Sequence, residues 1–281
     1  RQRQMCIRDR SMSEQLPYFR PVVVMPVYNH PDTVRDVVSE ILKFHLPIIL
    51  VNDGSNEETH RACDLCRCSF VTVIHRKVNG GKGTALMTGF QQATIDDYTH
   101  VITIDPDGQM DPASIPQFLK LARRNPDKVI CGYSQKSAPF NRKRRFLHRI
   151  STGLANFNAL SLSIADAHCG YRLYPLAAVN QLFARIKPGR KMQFDAETLV
   201  RLLWLGVRVL NVPIHLRTPK DQISHFSFGA DAKRILGMHL RLFFVMLTRF
   251  PLIVMTRATG WHSLAPKKTN ARANSGTNKI L

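Results

Sequence analysis

Two carboxylates one residue apart, Asp105 and Asp107, carry the strongest chemical signal in the chain. They follow the run Val101-Ile102-Thr103-Ile104, with Pro106 between them and Gly108-Gln109 behind. A run of this kind suits a sheet interior, and Pro-Asp-Gly cannot extend a strand, so the chain must turn there. The pair is therefore expected at the carboxyl end of a strand, where open α/β sheets bind ligands. Two hard oxygen ligands at that spacing suit Mg²⁺ or Mn²⁺, which in turn holds a diphosphate. An acidic turn with no ligand fits the same residues, and only their surroundings decide between the two.

The preceding elements supply those surroundings. Val22–Met25 reads as a strand stopped by Pro26 and followed by Tyr28-Asn29. Apolar residues at helical spacing run from Asp32 to about Phe44. Ile48–Val51 is a second strand, ending in Asn52-Asp53-Gly54-Ser55, with Ser55 and Glu58 as a capping box for a helix through Cys66. Val71–Ile74 is a third strand. Gly80-Gly81-Lys82-Gly83 then leads into a helix over Thr84–Ala93, and Val101–Ile104 is the fourth strand. Such alternation predicts a mostly parallel sheet flanked by helices on both faces. Three of the four strands end in polar or acidic turns, which a parallel sheet gathers along one edge. The glycine segment is not a P-loop, since its spacing differs and no Ser/Thr follows the lysine. Its backbone can still approach a phosphate, and Lys82 can offer a point charge.

Further along, the pattern predicts a helix from Asp111 to Arg124, a strand at Val129–Cys131, and the basic run Arg142-Lys143-Arg144-Arg145 opening a helix to about Leu160. Asp166 to Arg172 reads as a polar turn. A helix over Asp195–Leu205 precedes the strand Val207–Val212, closed by Pro213. The last pattern is a helix from Asp231 to Met255, apolar yet carrying Arg234, Arg241 and Arg249, which Pro251 should kink or split.

Composition bounds the partners. The 281 residues carry a formal charge of +20, of which +3 lies in residues 1–20 and +4 in residues 262–281. With a pI near 10.3, the partner surface is expected to be anionic. The charge is diffuse and no recognised nucleic-acid motif occurs, which argues against a nucleic-acid-binding protein. Cys63, Cys66 and Cys68 invite a zinc reading, but no second Cys/His pair stands at ligand spacing; a reducing cytosol is the simpler inference. No run of about 18 uninterrupted apolar residues marks a transmembrane helix. The opening residues lack the apolar core of a secretory signal. The expected division is a disordered or non-native leader over 1–20, a catalytic domain over 21–229, an amphipathic helix over 230–260 and a disordered tail over 261–281.

Taken in order, Pro26-Val27-Tyr28-Asn29, Asn52-Asp53-Gly54-Ser55, Asn79-Gly80-Gly81-Lys82-Gly83 and Asp105-Pro106-Asp107-Gly108-Gln109 resemble the inverting family 2 glycosyltransferases of GT-A fold. Residues 166–172 and the stretch from Phe194-Asp195-Ala196-Glu197 to Pro213 look like the later motifs of the branch containing dolichol-phosphate mannose and glucose synthases. The likeness covers roughly residues 20–215. The ending, with Ser224-His225-Phe226 and His239–Phe244, is similar to bacterial relatives associated with lipid-linked or polyene glycosylation.

That resemblance implies a nucleotide-diphosphate sugar donor, with Pro26, Tyr28, Asn29, Asp53, Lys82 and Asp105 around it. It implies Mg²⁺ or Mn²⁺ held by Asp105 and Asp107, with Gln109 joining the shell. Asp195 is the first choice of general base, Glu197 the second and Asp166 a further candidate; a lipid-phosphate acceptor would need no base. Arg142, Arg145 and Arg172 are the acceptor-phosphate candidates. Two departures stand out. Asn52 replaces the first of two acids usual in the family, and Tyr133-Ser134 stand where polyprenyl-phosphate sugar synthases commonly carry an Arg. Lys136 is a further substitute for that duty. The resemblance thus implies a transferase on the cytoplasmic face of the membrane acting on a lipid-linked or hydrophobic acceptor. A saccharide acceptor is the alternative. A nucleotidyltransferase is disfavoured, because no Gly-rich loop follows the first strand.

Overall fold

The computed structural model describes residues 18–134, 142–217 and 228–259. Residues 1–17, Lys136, Ser224-His225-Phe226 and residues 260–281 lie outside the described residues, as do the side chains of Arg142 and Arg145.

Seven strands form one sheet in the order β3-β2-β1-β4-β6-β5-β7. They are β1 (Pro21–Val27), β2 (Ile48–Asp53), β3 (Val71–Arg76), β4 (His100–Thr103), β5 (Val129–Ser134), β6 (Arg172–Pro175) and β7 (Val209–Ile214). The helices are α1 (Pro31–Leu42), α2 (Glu57–Asp64), α3 (Lys82–Ile95), α4 (Ile115–Arg124), α5 (Arg142–Asn158), α6 (Leu176–Phe183), α7 (Phe194–Trp204) and α8 (Phe228–Thr259).

The near-continuous apolar strands are explained by burial on both faces. In β1, Val22 and Val24 pack into one core and Val23, Met25 and Val27 into the other. The first core takes α3, α5, α6, α7 and α8; the second takes α1, α2 and α4. From β1 the sheet continues to β2 on one side and to β4 on the other, both parallel to it. The β1/β4 boundary is thus a topological switch point, with a crevice at the carboxyl ends of both strands.

β6 is the departure from a wholly parallel sheet. It runs antiparallel between β4 and β5, with Thr103 opposite Arg172. Reversal brings the amino end of β6, and the 166–171 segment before it, to the carboxyl end of β4. The turn predicted over 166–172 therefore stops one residue early.

Other boundaries also move. The N-cap of α2 is Asn56, whose side chain accepts from the Thr59 N–H at 3.0 Å, not the Ser55/Glu58 box. Ser55 Oγ instead accepts from the Asn29 N–H at 3.1 Å, tying the β1 turn to the β2 turn. Pro213 does not close β7, which runs on to Ile214. β7 is an edge strand, where a residue without an N–H costs no ladder bond. Pro251 lies inside a single helix that continues to Thr259.

Candidate functional site

The switch point gathers most of the sequence-predicted residues. Asp105 leaves β4 directly into the crevice. Its two carboxylate oxygens lie 2.8 and 2.9 Å from Lys82 Nζ, and the same ammonium is 3.1 Å from Asp195 Oδ2. Lys82 opens α3 and Asp195 lies in the first turn of α7, so one cation joins three elements. Burial alone would depress Lys82, but Asp105 and Asp195 outweigh it and hold the ammonium above the usual lysine value. Gly170 makes the approach possible: a Cβ there would lie 2.6 Å from Lys82 Nζ and 3.0 Å from an Asp105 oxygen. The Thr103 hydroxyl donates to the Gly170 carbonyl at 2.6 Å, fixing that segment against β4.

Asp107 sits on the turn beyond. Its Oδ1 accepts from the Gln109 N–H at 3.0 Å. Burial, and then the neighbouring Asp105 charge, push its carboxyl up to about 6. A carboxylate strained in this way, two residues from another, is a donor set that a hard divalent cation suits. The turn is held from outside: Thr33 Oγ1 donates to the Pro106 carbonyl at 2.6 Å, and the Arg217 N–H donates to the Gln109 carbonyl at 2.8 Å. Arg217 also pairs with Glu40 and Asp111 at 2.7 and 2.6 Å.

Several expected donor contacts turn out to organise the protein itself. Asp53 is buried, and its carboxylate accepts from the N–H groups of Gly80 (3.1 Å) and Gly81 (2.7 Å) and pairs with Arg76. It is the anchor of the glycine turn. Asn29 adopts φ +53, and its Oδ1 accepts from the Asn56 N–H at 2.9 Å. Asn52 Oδ1 accepts from the Ser55 N–H, so its amide nitrogen faces His75 Nδ1 at 2.9 Å. Pro26 is buried and Tyr28 half-buried at the end of β1.

The candidates for base and acceptor contact divide sharply. Asp195 keeps one oxygen on Lys82, while its other, Oδ1, is buried with no hydrogen-bond partner among the described residues. Glu197 is fully buried and saturated, accepting from the Gly189 N–H (2.9 Å), Arg201 Nε (2.9 Å) and Arg241 Nη2 (2.7 Å). The protein itself thus occupies both oxygens of this carboxylate. Asp166 Oδ1 accepts from the N–H groups of His168 and Cys169 at 2.8 and 3.0 Å, and His148 Nε2 is 3.6 Å away. Arg172 is the clearest correction. It is fully buried, with its guanidinium donating to the carbonyls of Ala167 (2.7 Å) and Asp195 (2.5 Å) and to the Tyr174 hydroxyl (3.2 Å). Such an arginine positions Asp195 and does not meet an acceptor phosphate.

The cysteine cluster does not look like a zinc site. Cys63 and Cys66 are buried, burial pushes the Cys63 thiol up to about 12, and Cys66 donates to the Ala62 carbonyl at 3.3 Å. A metal ligand would have to be the thiolate. The nearby trio His60, Asp64 and His75 has ligand atoms within 4.8 Å of one another. However, the Asn52 amide fixes His75 Nδ1 as an acceptor, so Nε2 carries the proton and donates to Asp64 at 3.0 Å.

Sequence reasoning missed the segment 187–193, which lies against the glycine turn. The Thr84 N–H donates to the Arg190 carbonyl at 3.0 Å, and a Cβ at Gly81 (φ +90) would lie 2.8 Å from that same oxygen. Its Lys-Pro-Gly-Arg-Lys composition marks a loop, but nothing in it names the partner.

An open, mostly parallel sheet with acidic strand ends around its switch point defines a GT-A-like α/β protein. The chain belongs to glycosyl transferase family 2, whose family model matches residues 22–183. It is 31% identical over 172 residues to the undecaprenyl-phosphate 4-deoxy-4-formamido-L-arabinose transferase of Pseudomonas syringae pv. syringae, covering 58% of this chain and 49% of that protein. It is 26% identical over 209 residues to the undecaprenyl-phosphate mannosyltransferase of Micrococcus luteus, covering 69% of this chain and 82% of that one. The chain spans about half the length of the arabinose transferases it matches. In fold it is similar to glucosyl-3-phosphoglycerate synthase from Mycobacterium tuberculosis, solved with Mn²⁺, UDP and glucosyl-3-phosphoglycerate, with a TM-score of 0.59, 16% identity and 80% of each chain covered.

Proposed function

We propose that this chain is an inverting glycosyltransferase that moves a sugar from a nucleotide-diphosphate sugar to a lipid-linked phosphate at the cytoplasmic face of a membrane. The observation that carries the reading is Lys82 held between Asp105 and Asp195 at the switch point, with Asp107 on the adjoining turn. Relatives named as undecaprenyl-phosphate sugar transferases support the acceptor class. The narrower likeness to dolichol-phosphate sugar synthases rests on residues 166–172 and 194–213 alone.

Asp107 and Asp105, with Gln109 beside them, are the residues that would hold Mg²⁺ or Mn²⁺. When bound, such an ion neutralises the diphosphate leaving group as a Lewis acid. The chain's own part is placement. The Gly80–Gly83 turn, its Gly80 and Gly81 N–H groups tied to Asp53, brings the Lys82 charge to the phosphates in a preorganised arrangement that needs little solvent reorganisation. Asp195 is buried and paired with Lys82, and Glu197 is saturated. Glu197 offers no free oxygen and Asp195 only its Oδ1, which fits an acceptor that arrives already anionic. Asp195 then orients the sugar hydroxyls or, for a neutral saccharide acceptor, takes the proton once Lys82 moves to the diphosphate.

The membrane reading is supported by α8. The stretch Ala232–Thr256 is long and apolar enough to cross a membrane by length and composition, and most of it is not buried. One face packs on the domain through Met238, Leu242, Met246 and Ile253, while Leu236, Leu240, Phe244 and Leu247 are exposed on another. A helix with one apolar face against protein and a second facing outward suits the headgroup boundary.

The test is transfer from a panel of nucleotide sugars to undecaprenyl phosphate in vesicles, with and without Mn²⁺. Metal-dependent formation of a lipid-linked sugar is expected, and Asp107→Ala should lower it by about a hundredfold or more. Full activity of Asp107→Ala, or transfer only to saccharides, would overturn the metal or the acceptor assignment respectively.

A further inference from the structure

Glu197 and Arg241 are better explained as a brace than as catalytic groups. We propose that they are positioning residues through which α8 holds the 187–193 segment closed on the glycine turn, and so sets the affinity of the donor site. The proposal rests on the function argued above for the meaning of that site, but not for its structural test.

The brace is a continuous set of contacts. Glu197 is fully buried in the first turn of α7. Its Oε2 accepts both the Arg241 guanidinium of α8 at 2.7 Å and the Gly189 N–H at 2.9 Å, while Oε1 takes Arg201. A buried carboxylate needs such donors, and each is charged or fixed in the backbone. Gly189 and Arg190 then lie directly on the glycine turn. A Cβ at Gly83 would meet the Gly189 carbonyl at 2.4 Å, and the Thr84 N–H donates to the Arg190 carbonyl. That turn carries Lys82, which spans Asp105 and Asp195.

The same stretch of α8 grips the opposite wall. His239, two residues before Arg241, lies 2.8 Å through Nε2 from Ser151 Oγ, which is 2.6 Å from His168 Nε2. The His168 N–H donates to Asp166, and Gly170, two residues on, abuts Lys82 and Asp105. Asn158 Nδ2 donates to the His239 carbonyl at 3.1 Å, fixing the helix at this level. One turn of α8 is therefore linked, through Glu197 on one side and Ser151 on the other, to both segments that flank Lys82. Arg241 is a half-exposed side chain on a helix that packing already holds, so an entropic or packing role alone does not account for its pairing with a fully buried acid.

The experiment uses the full chain carrying Arg241→Met, Arg241→Lys or Glu197→Gln. Amide hydrogen exchange at Gly189 and Thr84 should accelerate about tenfold or more in Arg241→Met and Glu197→Gln, while Ile102 in β4 keeps its protection, because only a local opening has become easier. Arg241→Lys should restore most of the protection. With UDP and Mn²⁺ as the probe, affinity should fall about tenfold in the first two variants; in turnover, donor KM should rise with kcat little changed. Unchanged exchange at both amides, or equal acceleration at Ile102, would overturn the brace. If the wild-type chain transfers no sugar, the proposed function fails, while the exchange result still decides the brace.

Discussion

At the scale of residues, the site depends on one ammonium lying between two carboxylates that come from different elements. Gly170→Ala probes that arrangement. The added methyl would meet Lys82 Nζ at 2.6 Å and Asp105 at 3.0 Å. Since Nζ ends a flexible chain, the lysine can swing away and the chain should still fold, with a Tm lowered by the loss of the Asp195 pairing. Transfer should nevertheless drop by about a hundredfold, the cost typical of a 1 Å misplacement at a reacting centre. A variant with normal Tm and normal kcat/KM would sink the claim that Lys82 must lie there. Asp107 gives a pH signature. Burial and Asp105 raise its folded-state pKa from 3.8 to about 6. The native metal-free chain therefore binds this proton more tightly than the unfolded chain does. The stabilisation this supplies is complete below the unfolded value and is lost as pH rises through about 6. Metal must displace the same proton, so Mn²⁺ affinity should fall about tenfold per pH unit below 6 and level off above it. Titrating Mn²⁺ by calorimetry from pH 5 to 8 checks this, and a flat profile would remove Asp107 from the ligand set.

At the scale of elements, what could be read from the sequence was whatever depends on local pattern. The strands β1 to β4 and the helices between them follow from apolar runs and 3.6-residue spacing, so the convergence of their ends at Asn29, Asp53 and Asp105 was foreseeable. β6 was not. It has four residues, begins with an arginine and ends with a proline, and owes its existence to β4 and β5 on either side. Missing it made Arg172 look like part of an exposed turn, where a cation would be free to bind phosphate. Only the antiparallel pairing with Thr103 draws it inside, where three oxygens receive it. Asp53 and Glu197 illustrate the same blind spot. Acid near a helix start or strand end signals a binding role, yet here the partners are backbone N–H groups and arginines brought from distant segments. Spacing reveals which acids share an edge; it does not reveal which of them the protein itself consumes. Helix α8 was legible in position but not in role, since its Arg241 has meaning only opposite Glu197.

At the scale of the whole molecule, the membrane docking proposed above would draw on the excess of +20 and on the outward face of α8 by different physics. Charge would act toward an anionic surface over about a Debye length, roughly 10 Å at 0.1 M salt. The apolar face would then hold it there through area removed from water, which salt does not screen. Removing α8 altogether would be a poor test, because Met238, Leu242, Met246 and Ile253 are buried in the core and their loss would unfold its edge. The exposed positions separate the two contributions cleanly. Leu240→Glu with Phe244→Glu changes residues that are 53% and 63% exposed, so Tm should be nearly unaffected. Wild-type protein should sediment with vesicles containing anionic lipid at 0.1 M salt, weaken at 0.5 M, and retain part of its binding there. The double variant should keep some binding at 0.1 M through its remaining charge and lose all of it at 0.5 M. If the variant instead matches wild type at both salt concentrations, the exposed face of α8 is covered by something other than a bilayer.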